Sequence, residues 1–189
     1  KMGLGAARRL THPRSLAYAS LELTYHAKAY HEPEVVGLLK EVAGKLYSWF
    51  DTTIDNDWMW HDEKVTYGNS RIPQALIFAG WYLKDDKMAK RGIKILDWLI
   101  DKQFNEGIFS PIGNDGWLTP DKKAQFDQQP VEVSGMIDTC LLAELYTKDK
   151  KYGSYALKAF AWFTGDNDIG DSVYDFSTGG CRDGIMPSG

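Results

Sequence analysis

The sequence predicts an all-α protein made of antiparallel helical hairpins, and three observations lead there. Apolar residues recur at helical spacing along most of the 189 residues. Two stretches, "LKDDKMAKRGIKILDWL" and "TKDKKYGSYALKAFAWF", align without a gap and superpose Met88 on Tyr152 and Trp98 on Trp162. No alternating strand pattern of comparable strength competes, so no sheet beyond a stray hairpin is expected.

The elements follow in order. Leu16, Ala19, Ser20, Leu23, Ala27 and Tyr30 share one face of a first helix. Pro33 opens a second, where its missing N–H costs nothing, and Val35, Leu38, Leu39, Val42, Leu46, Trp49 and Phe50 stripe it. Ile72, Ala75, Leu76 and Ala79 mark a third. Gly92, Ile93, Leu96, Leu99 and Ile100 mark a fourth, with Asp85 or Asp86 as its cap. Val133, Met136, Ile137, Cys140 and Leu141 give a fifth, and Ala156, Ala159, Phe160 and Phe163 a sixth. Links inside each pair are short, which forces antiparallel neighbours. The links after each pair, near 51–71, 105–129 and 165–189, are long, and loops of that length without structure of their own are usually functional. Repeated hairpins imply side-by-side stacking, in a solenoid or a closed ring, as one domain over 1–189. Trp49, Trp98 and Trp162 recur at matched repeat positions, which predicts core packing for all three.

Composition narrows the function. A net charge of −4 argues against nucleic acid or an anionic membrane as partner, and no run approaches the ~20 apolar residues of a membrane span. Two cysteines make no disulfide framework, and Cys140 lies on an apolar helical face. His61 has no second His or Cys at ligand spacing, so no metal is expected. "DNDIGD" at Asp166–Asp171 is rich in oxygen but departs from the EF-hand spacing. "KMGLGAARR" follows no strand and is no dinucleotide loop, so no cofactor is expected.

Seven Trp and ten Tyr are the unusual feature, since their flat faces and polar edges suit sugar rings as well as cores. The long links gather them with acids in "WMWHDEKVTYGNSRIPQAL", "FSPIGNDGW", "FDQQPVEVSGM" and "DFSTGGCRDGI". These four ordered motifs, on paired helices whose long loops share one end, resemble the (α/α)6 toroid of the six-hairpin glycosidase superfamily. More narrowly, they resemble the all-helical domain found beside or fused to bacterial glycosyltransferases. The resemblance implies a carbohydrate context, an oligosaccharide or glycan as ligand, and partners among further hairpins or a glycosyltransferase domain of a longer polypeptide. Three hairpins are half of such a ring, so this chain is expected to form part of a larger toroid.

Inverting glycoside hydrolysis needs a carboxylic acid and a carboxylate roughly 6.5–9.5 Å apart, a spacing that neighbouring loops meet more readily than neighbours in sequence. Glu63, flanked by Trp60 and Tyr67, pairs on this reasoning as general acid with Asp127; both also fit solvated or capping roles. Trp58, Trp60, Tyr67 and Trp117 are candidates for sugar stacking, against a role covering the core. Asn69, Arg71, Gln128 and Gln129 offer forked hydrogen bonds to hydroxyls, or to free amides at helix starts. Glu132 falls in a helix first turn, where the dipole favours a carboxylate whatever the function. His61 completes the first loop, and Asp183 is a third pocket acid or a turn former beside Gly184. Three functions fit: a glycoside hydrolase-like enzyme, a non-catalytic glycan-binding or scaffolding module attached to a glycosyltransferase, and a sugar epimerase. The epimerase would want pocket histidines, and three of the four lie outside the loops.

Overall fold

A computed structural model of the chain, describing residues 2–51 and 57–187, is all-α. Among the described residues, seven helices run α1 Met2–Ala7, α2 Pro13–Tyr30, α3 Pro33–Asp51, α4 Arg71–Leu83, α5 Asp86–Gln103, α6 Pro130–Thr147 and α7 Lys151–Ala161. Two-residue strands β1 (Phe104–Asn105) and β2 (Ile108–Phe109) pair antiparallel, and a 3-10 turn covers Trp162–Thr164. The chain forms two compact units, 1–61 with 71–96 and 62–70 with 97–189.

The hairpin turns share one geometry. A non-glycine residue adopts the left-handed conformation after α2, α4 and α6: His31, Lys84 and Lys148, with φ of 55°, 58° and 65°. That conformation costs a residue with a Cβ about 1–2 kcal/mol, offset because the turn satisfies carbonyls at the helix end. His31 N–H donates to Ala27 O at 2.9 Å and Lys148 N–H to Glu144 O at 2.8 Å. In the second and third turns an aspartate carboxylate then holds the start of the following helix: Met88 N–H donates to Asp85 Oδ1 at 3.1 Å and Lys151 N–H to Asp149 Oδ1 at 2.9 Å. Lys84 and Lys148, Asp85 and Asp149, and Trp98 and Trp162 hold one common offset in sequence, so the internal repeat extends to its turns and caps.

In the first unit, α2 packs on both α3 and α4, and Tyr82 Oη donates to Ala27 O at 3.0 Å. Gly80 meets Ala89, and Gly92 meets Ile77, so α4 and the start of α5 run antiparallel at close approach. A Cβ on Gly92 would lie 2.8 Å from Ile77 Cγ1 and 2.9 Å from Pro73 O. In the second unit α6 packs on α7, and Tyr152 Oη donates to Asp97 Oδ1 at 2.9 Å. Burial and that carboxylate hold the Tyr152 phenol well above its usual range.

Most of the striped positions are core. Leu16, Val35, Leu38, Leu39, Val42, Leu46, Phe50, Ile72, Leu76, Leu96, Val133, Met136 and Cys140 are buried, and burial pushes the Cys140 thiol up to about 12. Four expected core residues are exposed: Tyr30, Trp49, Leu141 and Phe160. Helical periodicity assigns a residue to a face, but only a neighbouring element buries that face. On α6 the buried stripe runs Val133, Met136, Cys140, Ala143, and Leu141 stands about 100° around the helix from Cys140.

Candidate functional site

In the second unit, backbone pairing ties together the parts of all three long links that lie there. Val65 N–H donates to Leu118 O at 2.9 Å and Leu118 N–H returns to Val65 O at 3.2 Å, which joins the first link to the second. Gln128 N–H donates to Ile185 O at 3.1 Å and Ile185 N–H to Gln128 O at 2.9 Å, which joins the second to the third. The second link also folds on itself. Asn114 N–H donates to Asp127 O at 3.0 Å, and Gly113 lies so close to the Phe126 carbonyl that a Cβ would sit 1.9 Å from its oxygen. Trp117 and Asp127 hold left-handed φ values of 64° and 53°. Such conformations persist in residues bearing a Cβ only where the surroundings fix them.

Two buried polar networks do the fixing. The first centres on Glu132, 3% exposed in the first turn of α6. It accepts hydrogen bonds from Gly68 N–H, from Asn69 Nδ2 at 2.7 Å and from Asn69 N–H at 3.4 Å. Gln103 Nε2 donates to Asn69 Oδ1 at 3.3 Å, while Ile112 N–H donates to Gln103 Oε1 at 3.3 Å. Thus Glu132 holds the end of the first link, a more specific task than favouring the dipole of its own helix. The second network centres on Gln128 and Asp168. Trp162 Nε1 donates to Gln128 Oε1 at 2.7 Å, and Gln128 Nε2 donates to Asp168 Oδ2 at 2.6 Å. Asp168 Oδ1 accepts from Ser110 Oγ at 3.1 Å and Gln125 Nε2 at 3.0 Å. Lys123 Nζ donates to Ser110 O at 2.5 Å; burial lowers its amine to about 8, partly opposed by the Asp168 charge.

The sequence-predicted residues divide between the units. Tyr67 and Trp117, in the second, form an accessible ring pair with centroids 6.2 Å apart; Tyr67 is 52% exposed and Trp117 half-buried. Glu63 is exposed, with its N–H donating to Asp62 Oδ1 at 2.8 Å, and Asp127 is half-buried. The enclosed apolar setting expected to make Glu63 an acid is therefore not found: its carboxylate meets water. Asn69 and Gln128 are buried and engaged within the protein, so they position loops instead of presenting forks to hydroxyls. Gln129 is the N-cap residue of α6 and makes no side-chain cap bond. With Pro130, Val131, Cys181, Arg182 and exposed Asp183 it lines a cavity of about 350 Å³.

Trp58, Trp60, His61 and Arg71 belong to the first unit. Trp60 is 3% exposed, packed on Phe50 at 6.1 Å and His61 at 5.1 Å, so it covers the core and offers no sugar platform. Trp58 is half-buried. His61 also meets Trp49 and Phe50 edge-on. Arg71 Nη1 donates to Gln74 Oε1 at 2.8 Å in the first turn of α4. Of the first long link, residues 52–56 lie outside the described residues.

Within "DNDIGD", Asn167, Asp168 and Asp171 accept from protein donors. Asp168 takes Ser110, Gln125 and Gln128, and Asp171 Oδ2 accepts from Arg182 Nη1 at 2.9 Å. Among the described residues, no three His, Cys, Asp or Glu side chains converge as a metal cluster. No described helix is long and apolar enough to cross a membrane. Asp168, Lys123, Gln103 and Ser110 were missed as site-building residues; "PDKKAQF" looks like an ordinary solvated charge run, and nothing local marks Lys123. No family model matches the chain, and no curated protein does.

Proposed function

We propose that this chain is a carbohydrate-active domain, part of an (α/α)6-type toroid, that binds a glycan on the loops of its second unit. The observation that carries this reading is the Tyr67–Trp117 ring pair. An exposed Tyr67 and a half-buried Trp117 stand on loops that backbone bridges and buried networks hold in place, an arrangement that costs hydrophobic burial unless a ligand covers it. Sugar rings present C–H faces that stack on such aromatics and hydroxyls that the loop rim can bond. The exposure of Glu63 favours a binding module over a hydrolase, because a general acid at neutral pH needs surroundings that keep it protonated. A hydrolase reading has one observation in its favour: Glu63 and Asp127 lie on links joined within one unit by the Val65–Leu118 pairing.

A neutral-oligosaccharide array, followed by a reducing-end assay on each hit, tests both. Binding without turnover supports the module. Turnover that falls about a hundredfold in Glu63→Gln supports the hydrolase. An array without a hit overturns the carbohydrate reading.

A further inference from the structure

Trp49 occupies the same repeat position as Trp98 and Trp162, yet those two are 8% and 0% exposed while Trp49 is 41% exposed. It lines a cavity of about 610 Å³ in the first unit together with Arg8, Arg9, Thr11, Lys45 and Ser48. Small-ligand sites commonly measure roughly 300–1,000 Å³, so the space suits one sugar-sized molecule. Its charge departs from that of the chain, which is −4 overall. Three cations border it, and one carboxylate, Glu41, answers two of them: Arg8 Nε lies 3.6 Å and Lys45 Nζ 2.9 Å from its oxygens. Lys45 Nζ also donates to Arg8 O at 2.8 Å, which fixes the ammonium against the segment between α1 and α2. Among the described residues that border it, the balance is an excess of two positive charges beside a ring and two hydroxyls.

We propose that this cavity binds a sugar monophosphate. A phosphate monoester carries close to two negative charges at neutral pH, with three strong acceptor oxygens, which matches the excess of two. Arg9 presents a planar fork suited to phosphate oxygens and Arg8, held by Glu41 through Nε at 3.6 Å, adds its charge. Trp49 supplies a surface for the sugar ring, Thr11 can meet a hydroxyl, and Ser48 Oγ, which donates to Lys45 O at 2.8 Å, can still accept from one. The residues of the site all belong to the first unit, and Tyr67 and Trp117 belong to the second.

Calorimetric titration with glucose 1-phosphate, inorganic phosphate and glucose tests the assignment. Glucose 1-phosphate is expected to bind with a dissociation constant below about 1 mM, inorganic phosphate several-fold more weakly, and glucose too weakly to measure. Added salt should weaken the phosphate ligands. Arg9→Glu, at an exposed position, should weaken glucose 1-phosphate by roughly tenfold or more while the melting curve is unchanged. Trp49→Ala should bring glucose 1-phosphate down to the affinity of inorganic phosphate and leave inorganic phosphate itself unaffected. Tyr67→Ala should change none of these titrations, so failure here is distinguishable from failure of the glycan site. No binding by any phosphate, equal affinity for the two phosphates in the wild type, or an unaffected Arg9→Glu variant would each overturn the proposal.

Discussion

Replacing Glu132 by alanine removes the carboxylate that ties the first long link to α6. Gly68 N–H, Asn69 Nδ2 and, at the longer distance of 3.4 Å, Asn69 N–H lose their acceptor. Each buried donor left unsatisfied costs about 1–3 kcal/mol. The Asn69 N–H bond lies at the edge of hydrogen-bond range and adds little. Removing a buried charge also recovers part of its desolvation cost. Two effective losses less that recovery leave about 3 kcal/mol of destabilisation. In a chain of this size that lowers the melting temperature by roughly 6–12 °C. Glu132→Gln keeps one accepting oxygen but turns an amide toward other donors, so it should lose about half as much. Thermal melts followed by far-ultraviolet circular dichroism measure both. A Glu132→Ala melt within about 1 °C of wild type would refute the buried network as a source of stability, and with it the account of what holds the loop that carries Tyr67.

Two further outcomes follow from the same geometry. Lys123 Nζ should titrate near 8 in a heteronuclear magnetic-resonance experiment, far below the ~10.4 of a free lysine. Asp168→Asn should lower that midpoint further, since the carboxylate supports the ammonium; a midpoint above 10 would refute the buried placement. Because the folded pKa is depressed, the folded state disfavours the proton. The destabilisation is therefore complete below pH 8 and relieved as pH rises toward about 10.4, and Lys123→Met should flatten stability across that window. In acrylamide quenching of single-Trp variants, Trp49 should be readily quenched and Trp60 protected; the reverse order would contradict their positions.

Periodicity and the repeat were enough to reveal α2 to α7, the short hairpin turns and the Asp85 cap, because each depends on residues within a few positions of one another; the short α1, Met2–Ala7, carries no apolar stripe and was not read. Lys84 and Lys148 fall at one repeat offset, but nothing in a lysine marks a left-handed turn residue, so the alignment pairs the two turns without disclosing their geometry. The site was less so. Trp49 and Trp162 carry the same local signature, and only the presence or absence of a covering neighbour separates an exposed ring from a buried one. Glu132 read locally as a residue favouring its helix dipole, since its actual partners, Gly68 and Asn69, lie in another link. Lys123 and Asp168 both bond Ser110 from loops far apart in sequence, an association that no spacing rule encodes. Tyr67 and Trp117 were legible as aromatics on long links; their pairing depends on the Val65–Leu118 bridge, which carries no strand pattern.

The central claim is that the Tyr67–Trp117 pair is a glycan platform. Titration of the best array hit into wild type, Tyr67→Ala, Trp117→Ala and the double variant tests it most directly. The account predicts saturable binding by wild type, a loss of roughly 5- to 30-fold for each single variant, about 1–2 kcal/mol apiece, and no measurable binding by the double variant, with all melting curves alike. Wild-type affinity in the double variant would contradict it.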